Sequence, residues 1–204
     1  MTAATNPYEI IAAPFTVYYA PLGEEFPAVD AAVAGNWVKI GVSGDESMDE
    51  EGVTVQHTQE INKVRTLGNT APVKAFRTGE DLIIQFQVLD VSSETYLLGV
   101  NSNGIAATAA GSGTAGKKVL QFYQGEAVAN MALLARANVS PYGGGMKMQY
   151  QVPRCYMSAN PEPVFRKGEP ARMAYEFTAL RDFDAATKEE SFGQLVAQHQ
   201  VALE

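Results

Sequence analysis

Apolar and polar residues alternate most clearly between Glu80 and Leu89, and this stretch organises the rest of the chain. Leu82, Ile84, Phe86 and Val88 fall on one face of a strand, because strand side chains alternate with a period of two. Ile83 and Leu89 share the other face with Gln85 and Gln87, so that face is only partly apolar and the strand is central to its sheet. The pattern changes at Asp90. Asp90 or Ser92 caps a short helix, Glu94 favours the positive end of its dipole, and Gly99 closes it in the left-handed conformation. Tyr96, Leu97 and Leu98 give this helix an apolar side that must be covered.

Strands dominate elsewhere. Phe15 to Pro21 and Trp37 to Val42 are rich in large and branched residues, with a loop or short helical turn over Leu22 to Gly35 between them. Gly52 to Thr78 is long and extended: Val53, Val55 and His57 alternate with polar neighbours, Gly68-Asn69 marks a turn, and Ala71 to Phe76 returns as a partner strand. Polar residues occupy both faces of this pair, which predicts an arm reaching away from the body. Asn101 to Gly116 is small-residue-rich and predicts a flexible loop. Glu126 to Ala137 is read as a strand, since Pro141 to Gly145 forms a hairpin connection into Met146, Met148, Tyr150 and Val152, which alternate with Lys147, Gln149 and Gln151. Pro153 ends that ladder or marks a bulge. Ala171, Met173, Tyr175, Phe177 and Ala179 form the face of another strand, and Ser191 to Val201 is a weak helix or an arm. The fold class is mainly β with one short helix. The divisions are an N-terminal arm over 1–14, a body over 15–183 with an arm at 43–79 and a surface loop at 101–116, and a C-terminal arm over 184–204.

Composition narrows the function. With 204 residues and 46% hydrophobic content, the chain can bury a core of its own. No uninterrupted apolar run reaches membrane length, and the first residues lack a basic region ahead of an apolar one, so no membrane insertion is expected and synthesis is placed in a cytoplasm. The single Cys155 agrees with a reducing compartment. A net charge of −8 argues against gripping nucleic acid by phosphate neutralisation, although it suits a surface along which a polyanion slides.

Chemical motifs are imitated but incomplete. Gly111 to Lys117 has P-loop spacing, but Lys118 stands where Ser or Thr would hold magnesium, and a strand follows where a helix belongs. Asp45, Ser47 and Asp49 imitate the start of a calcium loop, yet Glu50 and Gln56 occupy the positions of its glycine and closing glutamate. His57 and His199 form no metal-ligand pair, and no motif supports a dyad of either with Cys155. No catalytic, cofactor or metal residue is therefore nominated, and the expectation is binding or building rather than catalysis.

Several stretches together carry a resemblance: FTVYYAPLGEEFP, NWVKIGVSGDESMDEEGVTV, TAPVKAFRTGEDLIIQFQVLDVSSETYLLGV, VPRCYMS and MAYEFTALRD. Their order and spacing resemble the tail tube (major tail) proteins of long, non-contractile-tailed bacteriophages and related tail-like particles, over roughly Phe15 to Phe183. The resemblance implies a β-sandwich of two antiparallel sheets with one short flanking helix, a long inter-strand arm and extended termini. It further implies hexameric rings stacked into a tube, partners such as the tape measure, tail terminator and baseplate or distal tail proteins, DNA crossing the lumen without specific binding, and a place in the virion tail. The Ser43 to Gly79 region corresponds to the stacking loop.

Charge sharpens the assembly expectation. Asp45, Glu46, Asp49, Glu50 and Glu51 form an acidic loop, while Lys63, Arg65, Lys74 and Arg77 make the following arm basic. The two patches are expected to meet between subunits, head to tail; their alternative is a pair of solvated surfaces. Glu80, Asp81 and Glu176 are expected to face the lumen. Two further readings remain: the tube protein of a contractile injection system or gene-transfer particle, and a monomeric carbohydrate-binding sandwich using Tyr18, Tyr19, Trp37 and Tyr156.

Overall fold

The computed structural model describes residues 14–100, 104–137 and 147–198. Its strands are β1 (Phe15–Ala20), β2 (Val38–Lys39), β3 (Thr54–Val64), β4 (Lys74–Val88), β5 (Ile105–Thr108), β6 (Lys117–Leu120), β7 (Asn130–Ala137), β8 (Lys147–Met157), β9 (Met173–Ala179) and β10 (Gln194–Gln198). Among the described residues one α-helix, α1, spans Ser93–Val100. The fold is mainly β, as the alternation predicts.

Eight strands form one antiparallel sheet in the order β2-β1-β7-β8-β9-β4-β3, with β10 added to β8, and β5 and β6 form a separate hairpin. Although β7, β8 and β9 separate β1 from β4, Val17 of β1 shares a single core with Leu82, Ile84 and Phe86 of β4. The sheet therefore folds over itself, and its two halves pack face to face as the halves of a sandwich. The chain from Ile40 to Asp49 ties the open side. The Ile40 amide donates to Val17 O at 2.9 Å, while Leu89 donates to Ser47 O at 2.8 Å and Asp49 donates to Gln87 O at 3.0 Å.

The change of partner along β8 falls at Pro153. Lys147 to Gln151 pair with β10, whereas Cys155 to Met157 pair with β9. A residue with no N–H fits a position between two partner strands, where no ladder bond is required of it. The Ser191 to Val201 segment thus contributes a strand as far as Gln198, rather than a helix or arm, and the sheet extends beyond the expected limit at residue 183.

Three local expectations are corrected by packing. Gly99 is not a left-handed helix terminator but lies within α1, where an added Cβ would stand 2.3 Å from Met173 Cε; it allows helix and sheet to approach. Ser92 does cap the helix, its Oγ accepting from the Thr95 amide at 3.2 Å. The Asn101 to Gly116 stretch contains β5 and the tip of a hairpin, closed by a Gly111–Thr114 bridge, with residues 101–103 outside the described residues. Gln149 and Gln151 of β8, which the alternation sets on the polar face opposite Met148 and Tyr150, are buried. The loop after β1 covers this side of the sheet, and Gln149 Nε2 donates to Pro27 O at 2.8 Å. The N-terminal arm to residue 13 and the connection at Pro141 to Gly145 lie outside the described residues.

Candidate assembly surfaces

β3 and β4 form a long hairpin whose far half leaves the body. From Ile61 to Thr78 every residue is exposed on both faces, whereas Leu82, Ile84, Phe86 and Val88 at the other end of β4 are buried. At about 3.3 Å per residue, the distance from Leu82 to Lys74 gives this arm a reach of roughly 25 Å. A register shift at its base sets Glu60 against Gly79 and Ile61 against Arg77, leaving Thr78 as the extra residue of a bulge. Beyond Ile83, β4 pairs with β3 alone among the described residues, so both outer edges of the arm are open to them.

The arm's composition matches neither a core nor an ordinary loop. Ile61, Val64, Leu67, Val73 and Phe76 are all exposed. Its cations are occupied in different ways: Arg77 lies 3.6 Å from Glu80 and donates through Nε to Gln59 at 3.2 Å, Arg65 donates to Thr70 O across the turn, and the Lys74 ammonium sits 4.9 Å from the Phe76 ring centroid. No hydrogen bond or ion pair is found for Lys63 among the described residues.

The acidic loop lies at the opposite end of β4, where Met48 bridges Val88. Asp45 and Glu46 fall in a short 3-10 turn over Gly44–Ser47, and Asp45 Oδ1 accepts from Thr16 at 3.4 Å. Asp49 is buried and ion-paired to Arg172 at 3.0 Å. Glu50 is exposed, and Glu51 accepts from Gln87 at 3.4 Å. The expected acidic patch is thus divided. Asp49 holds the start of β9 to the loop and is not available to a neighbour, while Glu50 and Glu51 remain outward.

Strand alternation divides the three expected lumen residues as well. Asp81 and Glu176 lie on the polar outer face of the β4–β9 pair. Asp81 accepts from Thr58 at 3.4 Å, while Glu176 accepts from Gln85 at 2.6 Å and from Ser158 at 2.9 Å. Ser158 and Thr178 approach at 2.9 Å, completing a polar row across β4, β9 and the end of β8. Glu80 projects to the other side, beside Arg77. Two adjacent strand residues cannot share a face.

The remaining chemical candidates have structural roles. Cys155 is buried and donates to Met131 O at 3.3 Å; burial pushes its thiol up to about 12. A thiol held in its neutral form is a poor nucleophile. Lys117 begins β6 rather than following a phosphate cradle into a helix. Among the described residues no cluster of three or more His, Cys, Asp or Glu is placed to hold a metal, and no helix is long and apolar enough to cross a membrane. Trp37 is buried and donates to Glu25 O at 2.9 Å, and Tyr18 and Tyr19 pack against the two cores. Comparison with family models and with curated proteins finds no match for the chain.

Proposed function

We propose that the chain is a structural tail tube protein, which assembles into hexameric rings that stack into a hollow tube conducting DNA. The observation that carries this reading is the β3–β4 arm. A hairpin with two open edges, two exposed faces and five large apolar side chains is costly for a monomer and is covered by assembly. The long β4, the strand-to-helix step into α1 and the folded-over antiparallel sheet supply the body that the resemblance implies. Asp81, on the outer face nearer the arm, accepts from Thr58 and forms no ion pair among the described residues. Such a surface offers a passing phosphate backbone little to hold it.

Negative-stain microscopy of the purified protein over a concentration series tests the proposal. Hollow rings or tubes are expected. Small particles at every concentration, monomeric by light scattering, overturn it and favour the carbohydrate-binding sandwich. The tube protein of an injection system or gene-transfer particle would assemble alike, and the neighbouring genes separate those origins.

A further inference from the structure

The arm and the region around Glu51 lie at opposite ends of one strand, and that placement makes the molecule complementary to itself. Residues 61–78 carry four cations and no acid, so with −8 overall the remainder of the chain has a formal charge of −12. Beside Glu51, at the far end of β4, is a hollow of about 300 Å³ whose walls include Thr54, Gln85, Ala174 and Glu176. It adjoins a second hollow of about 590 Å³ across Gln87 and Ala174, where Glu162 and Val164 contribute. The cations there are already taken: Arg166 lies 3.7 Å from Glu169, and Arg172 lies 3.0 Å from Asp49. Glu51, Glu162 and Glu176 form no ion pair among the described residues.

We infer that the tip of the arm, around Arg65 and Leu67, seats in this double hollow of a second copy of the chain. The inference rests on the polymer reading and deepens it by naming the receiving surface. The polar rim accepts the arm's cations, and Ala159, Ala174 and Val164 receive its apolar side chains. Because donor and acceptor sites differ and lie at opposite ends, the contact is heterologous and propagates from copy to copy instead of closing as a dimer. From Lys74 to Gln87 the strand alone spans roughly 43 Å, at about 3.3 Å per residue, and the turn at Leu67 lies beyond Lys74, so tip and hollow of one copy stand far apart.

Site-specific cross-linking tests the seat. Leu67→Cys and Ala174→Cys place thiols at the tip and on the exposed floor, and native Cys155 is buried and unreactive. Treatment of the double variant with a short bis-maleimide is expected to give a ladder of covalent multimers, with at most dimers from either single variant. Tubes without a ladder overturn the seat and leave the tail tube reading standing. Absence of tubes from the wild-type chain overturns that reading, and a missing ladder in the same sample overturns the seat with it. A charge exchange gives a second check. Lys63→Glu/Arg65→Glu is expected to lower assembly at least tenfold, and adding Glu51→Lys/Glu162→Lys is expected to restore it. Failure of the exchange to restore any assembly, with both proteins folded by circular dichroism, counts against the seat.

Discussion

Arg172 and Asp49 form an ion pair, Nη1 to Oδ2 3.0 Å, in which the carboxylate is buried and the guanidinium lies half in solvent. The pair joins the acidic loop to the beginning of β9, two segments far apart in sequence. Arg172→Ala leaves the buried carboxylate with the Glu51 amide, 3.3 Å away, as its remaining donor. A loss of about 1–3 kcal/mol is expected, the cost of an underpaired buried polar group. In a urea-denaturation cycle, Arg172→Ala in an Asp49→Asn background is expected to cost less than in the wild type. Equal costs in both backgrounds would show that the pair contributes no coupling.

Arg136 acts as a clasp on the other side of the body. Its Nε donates to Gln149 at 2.8 Å, and its Nη groups donate to Ala31 O at 2.6 Å and Ala28 O at 2.9 Å. The planar fork suits several carbonyls at once, whereas an ammonium does not reproduce it. Arg136→Lys is therefore expected to loosen the loop that covers Trp37 and Leu134. Trp37 is the sole tryptophan, so its fluorescence reads this directly: the emission shifts to the red in Arg136→Lys while the far-ultraviolet dichroism of the sheet persists. An unshifted spectrum would mean that Phe26 and Val33 hold the loop by packing alone.

Burial raises the Cys155 thiol from an ordinary 9.0 to about 12, and the Tyr175 phenol is raised in the same way. In both cases the folded state binds the proton more tightly than the unfolded state. Their contribution is complete below the unfolded values and falls as pH rises through the folded ones. Stability is thus expected to drop by about 2 kcal/mol from Cys155 alone between neutral pH and about pH 10.5, at 1.36 kcal/mol per unit. Cys155→Ala lowers stability at every pH by opening a small void, but its alkaline decline is shallower. A parallel decline in the two proteins would exclude the thiol as its source.

At Gly99 two effects compete. Alanine in the interior of a helix is favoured over glycine by about 0.8–1.0 kcal/mol, an upper limit at Gly99, which lies in the last turn of α1. The added Cβ would overlap Met173 Cε, the free end of a flexible side chain, but Met173 is fully buried, so swinging that methyl aside means repacking the core, at about 1–3 kcal/mol. The packing term is the larger, and Gly99→Ala is expected to lower the melting temperature. Introducing Met173→Val, which removes the clashing terminus, is expected to make the same glycine substitution nearly harmless.

Period-two alternation made the body legible: Leu82 to Val88 and Met173 to Ala179 are buried as that pattern requires. The helix and its Ser92 cap were equally local. Exposure of the arm followed from polar residues on both faces of Gly52 to Thr78. What escaped was set by distant partners. Gln149 reads as a solvent-facing residue until the loop after β1 lies over it, and Asp49 reads as part of an exposed acidic run until Arg172 meets it. The addition of β10 to the sheet is a further case, since nothing local announces that the short QLVAQ segment pairs with β8. The separation of Glu80 from Asp81 and Glu176, by contrast, was available from alternation alone.

Lys63 and Arg65 provide the sharpest separation of folding from assembly. Both lie on the exposed arm, beyond the bulge at Thr78, and neither touches the core. Lys63→Glu/Arg65→Glu is therefore expected to change monomer stability by no more than about 0.5 kcal/mol, the usual range for surface substitutions. Assembly is expected to fail, because the reversal changes the arm from four positive charges to none in excess and sets carboxylates against the acidic remainder of the next copy. The wild-type contact is expected to weaken with salt in the same way, since the Debye length falls from about 10 Å at 0.1 M to about 3 Å at 1 M. Apolar burial by Leu67 and Phe76 is insensitive to that screening, so tubes that survive 1 M salt while Leu67→Asp abolishes them would assign the contact to the arm's apolar side chains instead. Sedimentation of wild type and variant across the salt series distinguishes the two, and normal pelleting of the charge-reversed protein would remove the cations from the interface.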